Sequence, residues 1–132
     1  MKNQLRIIGG EWKRRQLPFA SVDGLRPTPD RVRETLFNWL MWDIQNTQVL
    51  DLCAGSGALS FEALSRGAAH VIMIEPNRNQ AAFLTDNLQL LKVTNQRAKL
   101  KIATAQQTLP TLKEQFDLVF LDPPYSLDLW QE

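Results

Sequence analysis

The feature that most constrains the fold is an alternation, after residue 46, of short apolar segments with segments of helical composition. Segments that are hydrophobic throughout are typical of strands buried on both faces, and strands that alternate with helices form parallel sheets. The apolar segments cover 49–52, 71–74, 100–103 and 116–121, and the helical segments cover 58–66, 77–91 and 106–112. The alternation predicts an α/β fold: a Rossmann-like parallel sheet whose strands, numbered along the chain, lie in the order 3-2-1-4.

The first 45 residues have a different pattern, so we predict an N-terminal extension over 1–45 and a sheet domain over 46–132. Residues 5–8 and 11–17 flank a Gly9-Gly10 pair. Strand-like segments joined by glycines are typical of a β-hairpin, which is therefore expected at the start of the extension.

A helix is predicted over residues 29–42. Thr28 and Pro29 are residue types that favour the N-cap and the first helical position. Trp39 and Trp42, near the end of the helix, are interpreted as packing residues. An apolar stripe along one face is formed by Val32, Leu36, Phe37 and Leu40.

The charge of the chain is distributed unevenly. Residues 1–33 contain eight Lys and Arg residues and three acids, a net charge of +5, whereas residues 34–132 have a net charge of −4. A basic segment on a mildly acidic body favours a polyanionic partner, although a solvated extension would look the same. The candidates for contact with nucleic-acid phosphates are Lys13, Arg14, Arg15, Arg26, Arg31 and Arg33.

Composition gives no indication of export or metal binding. No apolar run approaches the roughly 20 residues that a membrane span needs, and the N-terminus lacks the apolar core of a signal peptide. Cys53 and His70 are the only cysteine and histidine, so neither an internal disulfide nor a metal site is predicted. We expect a cytoplasmic protein without a membrane partner.

The first chemical motif is a glycine turn over Asp51–Gly57, with Glu75 about twenty residues after it at the end of the next strand. Such a turn lets a cofactor approach the backbone, and the acid can accept hydrogen bonds from a ribose diol. Dinucleotide sites use a third glycine where this chain has Ser60, and Asp51 suits a cationic amino-acid group better than a diphosphate. The motif therefore favours S-adenosylmethionine over a dinucleotide. The predicted contacts are Asp51, Cys53, Ala54, Gly55, Gly57, Glu75 and Pro76.

The second motif is Asp122-Pro123-Pro124-Tyr125, directly after the fourth apolar segment. In the predicted sheet the first and fourth strands are neighbours, so their carboxyl ends flank the point where the strand order reverses. The two prolines remove backbone donors and leave carbonyl oxygens as acceptors. Pro-Pro alone could simply stop a strand, but the convergence of both motifs on one crevice favours a shared site.

The Asp-Pro-Pro-Tyr tetrapeptide resembles the motif of methyltransferases that act on amino groups of nucleic acids. The blocks at 6–10, 26–28 and 33–38 are similar to the small-subunit (16S) ribosomal RNA guanine-N2 methyltransferases of the RsmD type. This resemblance, which covers essentially the whole chain, implies S-adenosylmethionine as cofactor and ribosomal RNA or the small ribosomal subunit as partner. It also implies further C-terminal strands. Related enzymes often place an acid near the adenine after the third strand, and here Thr104 is the candidate in its place.

The resemblance also implies roles on the substrate side. Asp122 and the Pro123 carbonyl would accept the two N–H groups of the guanine amino group, and Pro124 would fix the backbone. Tyr125 would stack on a base flipped out of its helix or loop. Asp122 would also stabilise the positive charge that develops on the nitrogen.

Two other functions remain open at this point. The same tetrapeptide serves other amino-directed enzymes, such as those that methylate adenine N6 in DNA. Alternatively, the chain could bind cofactor or RNA without catalysis. Full-length relatives are expected to be monomers, and a chain that ends at residue 132 would expose an apolar strand edge that favours dimers or aggregation.

Overall fold

The computed structural model describes residues 4–20 and 28–121. An N-terminal hairpin is followed by a helix and then by strands alternating with helices. The elements are β1 (Gln4–Arg6), β2 (Gln16–Pro18), α1 (Asp30–Trp39), β3 (Gln48–Asp51), α2 (Ala58–Ser65), β4 (His70–Ile74), α3 (Arg78–Leu90), β5 (Ala98–Lys101), α4 (Ala105–Thr108), a 3-10 turn (Leu109–Thr111) and β6 (Leu118–Phe120).

The main sheet has four parallel strands in the order β5-β4-β3-β6. Within it, Val49 of β3 is paired with Val71 of β4 on one side and with Leu118 of β6 on the other. This order is the predicted 3-2-1-4. The predicted boundaries were less accurate, since β5 begins two residues earlier than expected and β6 covers only the middle of its apolar segment.

The two faces of the sheet carry separate hydrophobic clusters. One cluster joins Val49 and Phe120 of the sheet to Phe37 of α1, Phe61 of α2 and Leu84 of α3. The smaller cluster on the other face consists of Leu50, Leu52, Ile72 and Ile74 with Ala105, Leu112 and Phe116 packed against it. The alternation of side chains along each strand explains this division, because successive residues point to opposite faces.

Helix α2 is buried along its whole length, all eight of its residues included. Such burial requires neighbours on more than one side, and the hairpin supplies one of them. Leu5, Ile7 and Leu17 of the hairpin region belong to the same cluster as Phe61 and Leu64 of α2. These hairpin residues, which belong to the predicted extension over 1–45, therefore pack into the core of the sheet domain.

The hairpin is confirmed, but its second strand begins at Gln16 and not at residue 11. Residues 11–14 form the turn, and Trp12 is buried beneath the Arg97 guanidinium, 5.4 Å from the ring centre. Gly10, with φ +82°, bends the chain directly after Gly9 and before this turn.

Helix α1 differs from its prediction in its ends and in part of its buried face. Pro29 is the N-cap without a side-chain cap, and the helix ends at Trp39. Three residues of the predicted stripe are confirmed, since Phe37 is buried and Leu36 and Leu40 pack against the core. Val32 is 54% exposed, and Arg33 is buried beside Phe37. Trp39 and Trp42, interpreted as packing residues, are exposed. In the part of the chain that the structure describes, no helix has the length and apolar character of a membrane span.

Candidate active site

The glycine turn leaves β3 at the carboxyl edge of the sheet and is held by both neighbouring strands. The Leu52 N–H donates to the Phe120 carbonyl of β6, and the Ala54 N–H donates to the Ile74 carbonyl of β4, each at 3.0 Å. The turn therefore lies where parallel strand ends meet, the usual place for a ligand in such sheets.

Gly57 is the N-cap of α2 and has φ +85°. A Cβ atom at this position would lie 2.5 Å from the Phe61 ring and 2.7 Å from the Leu84 side chain. From the sequence, this glycine was expected to let a cofactor approach the backbone closely. The structure gives it a packing reason, because an L side chain would meet both the unfavourable backbone angle and the core.

Glu75, at the end of β4, is nearly buried and fixes the turn. One carboxylate oxygen accepts the Gly55 N–H at 2.7 Å, and the other accepts the Asn77 N–H at 2.9 Å. An ionised carboxylate has about four lone-pair sites, so two remain for further donors. These free acceptor sites fit a ribose diol, whose two hydroxyl groups would donate to the same carboxylate.

Asp51, the last residue of β3, is only 1% exposed. Its carboxylate accepts the Ser60 hydroxyl of α2 at 2.6 Å. The carboxylate therefore lies beneath the turn, bound to α2, and its role as a cofactor contact stays a prediction. Ser60, noted in the sequence only as a missing third glycine, is the residue that holds it.

The other predicted cofactor contacts lie around this turn or beyond the end of β5. Ala54 is buried, Cys53 is half-buried and Pro76 is exposed. Thr104 caps α4 in a capping box: its hydroxyl accepts the Gln107 N–H at 3.1 Å and its own N–H donates to the Gln107 side chain at 3.0 Å. The structure thus gives Thr104 a local role in helix capping.

The second motif, Asp122–Tyr125, lies outside the described residues, as does Arg26. The strand that leads to the motif is described: Phe120 of β6 is paired with Asp51 of β3. The carboxyl ends of β3, β4 and β6 therefore share one edge, as predicted.

Of the predicted phosphate contacts that the structure describes, four are exposed and one is buried. Lys13, Arg14 and Arg15 are exposed on the hairpin turn, and Arg31 is exposed on α1. Arg14 has φ +75°, an unfavourable angle for a residue with a side chain.

Arg33 is a wrong prediction as a phosphate contact, because its side chain is 1% exposed. It donates to the Asp30 carboxylate at 2.6 Å and to the Arg6 carbonyl at 2.8 Å. Loss of water by burial lowers the pKa of Arg33, against the opposing effects of Glu62 and Asp30. Arg33 thus joins α1 to the hairpin and is not accessible to a polyanion.

Four buried polar residues that bind the N-terminal segment were not predicted from the sequence. Glu62 and Ser65 of α2 contact the backbone of residues 8–12. Gln80 and Asn87 of α3 bind the backbone of Ala20 and Pro18, respectively. A signal was present, since polar residues recur on helix faces that are otherwise apolar.

The chain matches known proteins over nearly its whole length. Residues 5–132 match the model of the family described as conserved hypothetical protein 95. Relatives named ribosomal RNA small subunit methyltransferase D are 46% identical in Haemophilus influenzae and 48% identical in Escherichia coli K12. These alignments cover 99% and 98% of this chain but 69% and 64% of the relatives, so the chain spans about two thirds of their length.

Solved structures agree with these matches. The Escherichia coli protein yhhF is 50% identical, with a TM-score of 0.84 over 93% of this chain and 66% of its own. A Haemophilus influenzae protein is 42% identical, with a TM-score of 0.74 over 96% of this chain and 68% of its own. The chain therefore belongs to the conserved hypothetical protein 95 family, the family of its relatives named ribosomal RNA small subunit methyltransferase D.

Proposed function

We propose that this chain transfers a methyl group from S-adenosylmethionine to the exocyclic N2 amino group of a guanine in small-subunit ribosomal RNA. The names of its relatives support ribosomal RNA as the substrate class. The observation that carries the proposal is the bond between Glu75 and the Gly55 N–H, because it joins a ribose-binding carboxylate to the glycine turn at the shared edge of the strands.

The residues present fit S-adenosylmethionine. Glu75 would accept the ribose hydroxyls with its remaining lone pairs, and residues 53–57 would lie along the amino-acid part. Asp51 would act on the ammonium group through its charge, from beneath the turn. Pro76 and Thr104 would flank the adenine. The cofactor, when bound, supplies an electrophilic methyl group.

The substrate side would be formed by the motif that follows β6. Asp122 comes two residues after Phe120, whose strand partner is Asp51. The Asp122 carboxylate and the Pro123 carbonyl would accept the N–H groups of the amino group and orient its lone pair, with Pro124 holding the backbone rigid. Tyr125 would stack on the flipped base, which contributes about 1–3 kcal/mol.

RNA would be captured by the exposed cations. Lys13, Arg14, Arg15 and Arg31 would contact phosphates, and Arg26 is retained as a candidate from the sequence. We propose free ribosomal RNA or the small ribosomal subunit as the partner, the cytoplasm as the compartment, and a monomer as the state of longer family members.

The proposal is tested by transfer of a labelled methyl group to a panel of RNA and DNA. We expect label in small-subunit ribosomal RNA, located on guanine N2 by mass spectrometry, and none in adenine-containing DNA. Asp122→Ala should lower kcat at least a hundredfold while the far-ultraviolet circular dichroism stays unchanged. Label in DNA alone, or full turnover by folded Asp122→Ala, would contradict the proposal.

A further inference from the structure

Helix α2 carries a fully buried carboxylate that serves the hairpin. One oxygen of Glu62 accepts the Ile8 N–H at 3.0 Å. The other accepts the Gly9 N–H at 2.9 Å and the Arg66 guanidinium at 2.7 Å. Charged acceptors give stronger hydrogen bonds than neutral ones, so this carboxylate fixes the backbone just before the hairpin turn.

Ser65, one turn further along α2, binds the next part of the same backbone. Its hydroxyl donates to the Gly9 carbonyl at 2.6 Å and accepts the Trp12 N–H at 2.9 Å. Its carbonyl accepts the Glu11 N–H at 2.7 Å. A Cβ atom on Gly10 would lie 2.0 Å from that carbonyl oxygen, so the close contact requires glycine.

The cations of the hairpin turn follow directly on this fixed backbone. Lys13, Arg14 and Arg15 come directly after Trp12 in the chain. The Trp12 N–H donates to the hydroxyl of Ser65, the last residue of α2. The glycine turn caps the other end of the helix at Gly57. Eight helical residues span about 12 Å, so the two turns are separated by roughly that length of rigid helix.

We infer that Glu62 and Ser65 are positioning residues for RNA, which act through the cationic hairpin turn. They hold the turn about one helix length from the cofactor turn, so the substrate must be an RNA that presents phosphates at roughly that distance from the methylated base. A short single strand that reaches only one of the two turns would bind weakly. This inference rests on the proposed function and assigns its substrate class more narrowly.

The test compares Ser65→Ala and Glu62→Gln with Thr35→Ala, which changes an exposed α1 residue whose hydroxyl donates to the Arg31 carbonyl of its own helix. The readouts are the Kd of transcribed small-subunit ribosomal RNA, the Kd of a dinucleotide RNA too short to reach both turns, and the Kd of S-adenosylhomocysteine. We expect Ser65→Ala to weaken ribosomal RNA binding at least fivefold and to change the other two Kd values less than twofold. Thr35→Ala should change none.

A second comparison separates positioning from general stability. In a Lys13→Ala/Arg14→Ala/Arg15→Ala background, Ser65→Ala and Glu62→Gln should weaken RNA binding no further, because the turn through which they act has lost its charges. An equal loss in that background would overturn the inference. So would an equal loss of S-adenosylhomocysteine affinity, or unchanged RNA binding by folded Ser65→Ala. Failure of the proposed function would appear separately, as absent methyl transfer by the unsubstituted chain.

Discussion

Two carboxylates at neighbouring strand ends have different surroundings and therefore different roles. Glu75 uses one lone pair on each oxygen for the backbone N–H groups of Gly55 and Asn77. Asp51 is held beneath the turn by Ser60. We propose that the first carboxylate binds the cofactor, whereas the second is bound to α2 beneath the turn.

The Ser60 hydroxyl should contribute to stability because it donates to a buried, charged acceptor. Ser60→Ala should lower the free energy of unfolding by about 1.5–3 kcal/mol, the usual value for a hydrogen bond to a charged group. Urea denaturation measures the loss, with exposed Thr35→Ala as the control. A loss of unfolding free energy below about 0.5 kcal/mol, the usual range for a surface substitution, would show that Asp51 does not depend on this donor.

Because Arg33 is buried and Arg14 is exposed, substitutions of these two residues should change the salt dependence of RNA affinity differently. A phosphate contact contributes about 0.7–0.9 to the slope of log affinity against log salt concentration. Arg14→Ala should therefore reduce the slope for RNA by about that amount, whereas Arg33→Met should leave the slope unchanged because its charge does not reach solvent. A reduced slope in folded Arg33→Met would restore Arg33 as an RNA contact.

At the level of elements, the junction between β3 and α2 depends on one glycine. Gly57→Ala should destabilise the chain by about 2–5 kcal/mol, since a left-handed angle costs about 1–2 kcal/mol and overpacking adds about 1–3 kcal/mol. Gly67→Ala is the matched control: φ is +108° there, but the nearest atom to an added Cβ is the Gln45 side chain at 3.1 Å. Equal losses in thermal denaturation would contradict the packing reason.

The sequence predicted elements whose signals are local. Helix α3 was placed within a residue at each end, because Asn77 caps it with a side-chain bond to the Gln80 N–H. Most of the face of α1 was predicted, but Arg33 was assumed to be exposed, and its partner, the Arg6 carbonyl, is 27 positions away. The roles of Glu62 and Ser65 could not be predicted, since their partners are more than 50 residues distant.

The candidate site shows the same limit. Glu75 and the glycine turn could be predicted because strand ends and glycines mark them in the sequence. The burial of Asp51 depends on how α2 packs over β3, which no local pattern reports. The site on the substrate side, Asp122–Tyr125, stays a prediction.

At the level of the whole molecule, the hairpin, the helices α1 to α3 and one face of the sheet share one hydrophobic cluster. Leu17 of β2 and Leu64 of α2 are both fully buried in the same cluster. Leu17→Ala and Leu64→Ala should each cost about 2–5 kcal/mol, and each variant should unfold in a single transition. Calorimetry decides this, and a separate early transition for Leu17→Ala would show that the hairpin is an independent unit.

Binding of S-adenosylhomocysteine, measured by isothermal titration calorimetry, tests the central claim most directly. The unsubstituted chain should bind one molecule, and Glu75→Ala should weaken binding at least tenfold. Glu114→Ala, which removes a fully exposed carboxylate, should change the Kd less than twofold. Absent binding by the unsubstituted chain, or unchanged affinity in folded Glu75→Ala, would contradict the placement of the cofactor at the Gly55–Glu75 edge.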